Sequence, residues 1–329
     1  MTRLAICGLG NIGSVHLENL LSLPGCAISG VFDVSPAVSQ RVGAGRGIKV
    51  LSSLDDLFGD PETDAVVIAT PTETHLALAT RSLAAGKHVF IEKPLAGTLT
   101  DAQAAVEAAR NSSLCVQVGF CERFNPQYLE AKRHVEAGSL GAIRAIYTSR
   151  VAPYSLGNPN WQLGIFDTAV HNLDLILWLK KQPPVSVTTS GVQVYSDSPM
   201  KPDSATINMD FADGSLATDH ITWLRDDAHP LHQCARSRMT ILGDRGSFDI
   251  DLSQRPSTLL TADSFSMPDT VLLGGAGYYG CLKLQFEYFL NAIAGRLPVM
   301  APAEDAMTAE RLVLAAFDSY HQQKKVLLS

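Results

Sequence analysis

The chain has 329 residues, 46% hydrophobic and 18% charged, which is enough apolar content for one large core or two ordinary ones and too much for a disordered protein. Its 26 Lys+Arg against 33 Asp+Glu leave a net charge of −7, which argues against a phosphate-tracking nucleic-acid binder. No stretch approaches the roughly 20 uninterrupted apolar residues of a membrane-spanning helix.

Six scattered cysteines without a CxxC pair argue against a structural zinc site or a disulfide framework, and fit a reducing, cytoplasmic compartment. The brief apolar run after Arg3 is broken by glycines and does not read as a secretory signal.

Up to about residue 120, short apolar runs alternate with helical patterns, the mark of βαβ units and a parallel, doubly wound sheet. Strands are expected at Leu4–Cys7, Ile28–Phe32, Ala65–Ala69, Val89–Ile91 and Leu114–Val118. Helices are expected at Ser14–Leu23, Thr74–Ala85 and Thr100–Arg110, the last opening on a capping box at Thr100-Asp101-Ala102-Gln103.

Beyond Gly119 the pattern changes. Helices are expected at Pro126–Ala137 and Phe166–Leu179, around a strand at Ile143–Val151. Strands then follow one another at Val185–Val194, Ala205–Phe211, Ser215–Trp223, Met239–Leu242 and Ser247–Ile250, with a hairpin turn at Asp213-Gly214. Two helices, Cys281–Ala294 and Ala303–Gln322, close the chain. The expectation is a dinucleotide-binding α/β domain over 1–120 and an α+β domain over 121–329 with an open, mostly antiparallel sheet.

Gly8-Leu9-Gly10-Asn11-Ile12-Gly13 is a GxGxxG turn between a strand and a helix. Small residues there bring backbone amides against a pyrophosphate at the positive end of the helix. Asp33 ends the next strand, 20 residues beyond Gly13, the distance expected of a carboxylate on the adenosine ribose hydroxyls. That carboxylate would repel a 2′-phosphate, so NAD is favoured; Arg41 nearby leaves NADP open. Thr70-Pro71 and Glu92-Lys93-Pro94 follow two further strands, where loops at the carboxyl ends line the nicotinamide end of such a crevice. Lys93 is there either a reactive ammonium able to steady a developing alkoxide or an ordinary solvated lysine.

The order of these motifs resembles the glucose–fructose oxidoreductase / inositol dehydrogenase (Gfo/Idh/MocA) superfamily. The signs continue with Thr70-Pro71-Thr72-Glu73-Thr74-His75, Ala85-Gly86-Lys87-His88-Val89-Phe90-Ile91-Glu92-Lys93-Pro94, Gly119-Phe120-Cys121-Glu122-Arg123-Phe124-Asn125-Pro126 and Asp167-Thr168-Ala169-Val170-His171-Asn172. The resemblance implies a Rossmann domain and an open-sheet domain whose outer face often makes oligomer contacts, here a homodimer or homotetramer. It implies NAD(P)-dependent hydride transfer at a hydroxyl carbon of a sugar or inositol-like polyol. It also implies cofactor contacts from the loops that carry Thr70, Pro71, His75 and Glu92, and catalysis by Lys93, Asp167 and His171.

Elementary chemistry agrees: Asp167 and His171 stand at i, i+4, and a carboxylate beside an imidazole raises its basicity. An isolated pair of this kind is usually an ordinary surface feature; its place among the other motifs makes it a candidate base.

Arg123, Asn125, Trp161, Asn172 and Tyr279 are the candidate substrate residues. Arg123 reads equally as a structural arginine paired with an acid, Trp161 as a core residue, and Tyr278 and Tyr279 either as a cover over the substrate or as helix-start packing. The cluster Asp226, Asp227, His229, His232 and Cys234 matches no metal-ligand spacing, so no metal is expected. Cys7 and Cys115 fall in buried strands and are expected in the core. The GxxERFNP form resembles members that oxidise UDP-activated amino sugars at the 3-position. An NAD-dependent glycoside hydrolase and a non-catalytic NAD-bound sensor are further alternatives on the same fold.

Overall fold

The computed structural model describes residues 1–153, 163–194, 201–224, 236–252 and 280–328, with four two-residue strands between 259 and 278. Trp161, Tyr279 and the cluster from Asp226 to Cys234 lie outside the described residues. The chain forms two compact units, one of Met1–Asn125 with Asp269–Met307, the other of Pro126–Pro268 with Thr308–Ser329.

The first unit is a five-stranded parallel sheet in the order β2-β1-β3-β4-β5. Its strands are β1 (Thr2–Cys7), β2 (Cys26–Phe32), β3 (Ala65–Ile68), β4 (His88–Ile91) and β5 (Val116–Val118). Helices α1 (Asn11–Leu21), α2 (Pro36–Val42), α3 (Leu54–Gly59), α4 (His75–Ala84) and α5 (Leu99–Arg110) connect them. Leu4 to Ile6, all of β3, and Val89 to Ile91 are fully buried, as expected of parallel strands covered on both faces. The strand order reverses between β1 and β3, which makes the carboxyl ends of those two strands the switch point where such sheets bind ligands.

Two local expectations change. The N-cap of α5 is Thr98, whose hydroxyl accepts from the Asp101 amide at 3.1 Å and donates to the Asp101 carboxylate at 2.8 Å, so the cap sits two residues ahead of Thr100. Helix α3 carries an unanticipated cap of the same type, Ser53 accepting from the Asp56 amide at 3.0 Å.

Helix α8 (Cys281–Ile293) belongs to the first unit rather than to the domain that follows residue 120. Phe286, Phe289 and Leu290 enter the same buried cluster as Leu4, Ile6, Leu17, Leu20 and Phe90, with the Phe90 and Phe286 rings 4.5 Å apart. Each buried phenylalanine contributes about 1.5–3 kcal/mol by transfer from water, which ties this distant segment to the sheet.

The second unit is a seven-stranded sheet in which β11-β10-β6-β9-β8-β7 is extended by the terminal strand Val326–Leu327. The strands are β6 (Ile143–Pro153), β7 (Ser186–Val192), β8 (Ser204–Asp210), β9 (Leu216–Leu224), β10 (Arg236–Gly243) and β11 (Ser247–Asp251). Every pairing is antiparallel except β6 with β9. Asp213-Gly214 makes the expected β8–β9 turn, with Gly214 at φ 77° and Phe211 N–H donating to Ser215 O at 3.0 Å. Helices α6 (Pro126–Glu136) and α7 (Phe166–Lys180) belong to this unit, and α7 packs on β6 and β9. Helix α9 (Ala303–Gln322) closes the helical part of the chain, with Glu304 and Asp305 in its first turn.

Candidate active site

The glycine turn is built from close backbone approaches. Gly8, at φ 93°, leaves so little room that a Cβ there would lie 2.5 Å from Ala69 O at the end of β3. A Cβ on Gly13 would lie 2.0 Å from Gly8 O, so α1 rests directly on the turn. Gly10 differs: nothing lies within 4 Å of its Cβ position, and it caps α1 with no side-chain hydrogen bond and no acid in the first turn. Asn11 and Ile12 follow as the first helical residues. The helix therefore presents orphan amides at an exposed end, the arrangement that holds a pyrophosphate. Asp33 sits beside it: its Oδ2 accepts from the Leu9 amide at 2.8 Å and its Oδ1 from the Ser35 amide at 2.9 Å. An anion-accepting helix end beside a fixed carboxylate suits a dinucleotide with an unphosphorylated ribose.

Cys7, just before the turn, is buried as expected, and burial first, then the Asp33 charge, push its thiol up to about 12. It has no place as a nucleophile.

The two loops that follow β3 and β4 are tied together by His75. Its ring is buried, with Nε2 2.9 Å from Thr70 O and Nδ1 2.8 Å from Pro94 O. Burial lowers its basicity, opposed by those two carbonyl contacts. A neutral imidazole carries one N–H, so His75 donates to one of these two carbonyls while its ring bridges the loops after β3 and β4. Thr74 Oγ1 donates to Pro71 O at 2.7 Å and meets Thr70 Oγ1 at 2.7 Å, which stiffens the same turn.

Glu92 is likewise buried and engaged: Oε1 lies 2.6 Å from His16 Nε2 and Oε2 accepts from the Lys93 amide at 3.0 Å. His16 was not among the sequence candidates; its signal is an imidazole three residues past Gly13, on the buried face of α1. Lys93 itself is half-buried, which sets it apart from an ordinary solvated lysine.

Arg123 is only 1% exposed and donates to Met300 O and to Asp305 Oδ2, both at 2.7 Å. These bonds fit the structural alternative for Arg123, a buried arginine paired with an acid. Asn125 is buried too.

In the second unit, Asp167, Thr168 and His171 form the half-buried stripe of α7, whereas Val170, Leu173 and Leu177 pack inward as the i, i+4 reading expects. Thr168 Oγ1 accepts from the Trp223 indole at 3.3 Å. Asn172, expected to face substrate, is 1% exposed and spent on a polar network. Its Oδ1 accepts from Arg150 Nε at 3.1 Å and its Nδ2 donates to Asp219 Oδ1 at 2.7 Å, where Thr148 Oγ1 also donates at 2.7 Å. A buried amide and carboxylate must find partners, and here they find each other.

Burial pushes the Asp219 carboxyl up to about 6 from its ordinary 3.8, against Asn172, Thr148 and Arg150. A folded value above the unfolded one contributes stability that is fully present below about pH 4 and lost as pH rises through about 6. Asp219→Asn should therefore gain on the native protein by on the order of 2–3 kcal/mol between about pH 4 and pH 7 in urea unfolding of the full chain. A native-to-variant difference that stays flat across that range contradicts this account.

Among the described residues, no cluster of three or more His, Cys, Asp or Glu side chains could hold a metal, and no helix is long and apolar enough to cross a membrane.

A doubly wound parallel sheet with an uncapped glycine-turn helix beside a fixed carboxylate, followed by an α+β unit, has the build of a dinucleotide-binding oxidoreductase. Residues 2–120 match the model of an oxidoreductase family with an NAD-binding Rossmann fold, and residues 128–249 match its GFO/IDH/MocA C-terminal domain. The chain belongs to the Gfo/Idh/MocA oxidoreductase family.

It is 29% identical to a scyllo-inositol 2-dehydrogenase (NAD(+)) of Bacillus subtilis (strain 168), over 99% of this chain and 96% of that protein. It is 27% identical to a UDP-N-acetylglucosamine 3-dehydrogenase of Acidithiobacillus ferrooxidans, over 95% of each. In fold it matches the crystal structure of a putative myo-inositol dehydrogenase from Sinorhizobium meliloti 1021, with a TM-score of 0.84, 24% identity and complete coverage of both chains.

Proposed function

We propose that this NAD-dependent oxidoreductase oxidises a secondary alcohol of a free inositol-like polyol. One observation carries the reading. A half-buried lysine at the end of β4 and a half-buried Asp–His pair one turn apart on α7 occur in a chain whose full-length relative is named an inositol dehydrogenase. The nicotinamide ring of NAD, when bound, supplies the hydride acceptor. His171 takes the hydroxyl proton, Asp167 orients the imidazole and raises its basicity, and the Lys93 ammonium steadies the charge that develops on oxygen. A cytoplasmic location, resting on the free cysteines Cys7, Cys26, Cys115, Cys121 and Cys281, belongs to the same reading. So does a homodimer or homotetramer, with monomeric light scattering at micromolar concentration as the contrary result.

The test is to follow NADH with free polyols and with UDP-sugars in parallel. Stoichiometric NADH from a free inositol supports the reading. Turnover of UDP-N-acetylglucosamine alone moves the chain to nucleotide-sugar oxidation, which the second full-length relative would favour. Glycoside cleavage without net NADH would indicate the hydrolase alternative.

Coenzyme choice has its own test at Asp33. Asp33→Ser should weaken NAD binding roughly tenfold or more, by loss of a charged hydrogen-bond acceptor, while NADP binding holds or improves. An equal fall for both nucleotides would mean that Asp33 acts only through its bond to the Leu9 amide.

A further inference from the structure

We infer that His16 is a positioning residue for Lys93, acting through the Glu92 carboxylate. The turnover consequence rests on the dehydrogenase reading; the geometry does not.

Glu92 has one oxygen on His16 and the other on the Lys93 amide, so a single buried carboxylate links α1 to the backbone of the reactive lysine. The chain around it has been shaped to leave that carboxylate in place. A Cβ on Gly119 would stand 2.8 Å from Glu92 Oε1, so the glycine makes room for the carboxylate, and Glu92 N–H is itself anchored to Ile68 O at 2.9 Å.

The imidazole is equally fixed. It is fully buried and stands edge-on to Phe90 and Phe286, with centroids 5.5 and 4.9 Å away. Its Nδ1 has no hydrogen-bond partner among the described residues. A proton on that atom would be an orphan buried donor, so the tautomer is the one with Nε2–H donating to Glu92. No other side chain in the described residues donates to Glu92 in this network. A buried carboxylate that loses its donor must turn toward another partner or toward water, and the Lys93 peptide is then no longer held on its second oxygen.

The experiment uses the full chain and three substitutions: His16→Leu, which keeps an apolar body between the two phenylalanines; His16→Gln, whose amide Nε2 can reach Glu92; and Glu92→Gln. The first readout is site-resolved hydrogen exchange of the Lys93 amide without nucleotide. His16→Leu should speed exchange at Lys93 about tenfold or more relative to amides of β1 and β3, and His16→Gln should restore it. The second readout is kinetic: kcat falls roughly ten- to a hundredfold in His16→Leu, the NAD dissociation constant stays within about threefold, and the double variant with Glu92→Gln is no worse than the poorer single one.

Unchanged exchange at Lys93, an increase spread evenly through the first unit, or additive kinetic effects would each overturn the inference. Should His16→Leu fail to fold, exchange at Lys93 in Glu92→Gln and His16→Gln decides it. Wild-type protein that turns over no alcohol would defeat the dehydrogenase reading, while the exchange result would still decide this one.

Discussion

Replacing His171 with alanine is expected to lower turnover by a factor on the order of 10²–10⁴ while leaving NAD affinity within about threefold. The base is the only group in the proposed reaction that must change protonation state, so its loss leaves water to accept the hydroxyl proton. Helix α7 should survive the change. His171 lies on its half-buried stripe, the packing is carried by Phe166, Val170, Leu173 and Leu177, and alanine is the best helix former. Asp167→Asn should cost less, because it removes the tuning carboxylate and leaves the imidazole. Turnover of His171→Ala within tenfold of wild type would remove the histidine from the base role.

The glycine turn yields the second large effect, best read as a pair of variants. Gly13→Ala places a methyl 2.0 Å from Gly8 O and 2.9 Å from Gly8 C, backbone atoms that cannot rotate away. Helix α1 must lift off the turn, which costs about 1–3 kcal/mol or more and displaces the amides that would hold the pyrophosphate. NAD affinity should fall at least a hundredfold, together with a lower melting temperature. Gly10→Ala meets nothing within 4 Å and sits at φ −65°, so the unliganded fold should tolerate it with an unchanged melting temperature. On the proposed reading, in which this turn holds the pyrophosphate, the added methyl takes up the open space beside it, so NAD binding should weaken all the same. Equal melting losses in both variants would show that the space beside Gly10 is structural.

Which parts were legible follows from how local each signal is. Each strand of the first unit is a short local run, and the glycine turn and Asp33 lie within about 30 residues, where apolar runs, small residues and an acid at fixed spacing constrain one another. The hairpin at Asp213-Gly214 and the alternation along β8 and β9 were equally local. The engaged residues were not.

Arg123 is satisfied by Met300 and Asp305, Asn172 by Arg150 and Asp219, and Glu92 by His16, partners that lie far away in sequence and leave no periodic trace. A polar residue in a motif reads as a candidate ligand contact, and its partners inside the protein become visible only in the fold. Helix α8 has the same cause: its apolar stripe was plain, but only the packing of Phe286 against Phe90 says which core it joins. The cap of α5 is ambiguous in sequence because Thr98 and Thr100 both precede helix-forming residues and differ only in which hydroxyl reaches the Asp101 amide.

The most direct measurement is NADH absorbance on mixing the protein with NAD and, in separate wells, myo-inositol, scyllo-inositol, common aldoses, sugar acids and UDP-sugars, beside Lys93→Met and His171→Ala. The account predicts NADH equimolar with oxidised product from at least one free inositol, abolished in both variants while each still binds NAD. Silence from every free polyol with NAD bound tightly, or turnover undiminished in both variants, would contradict it.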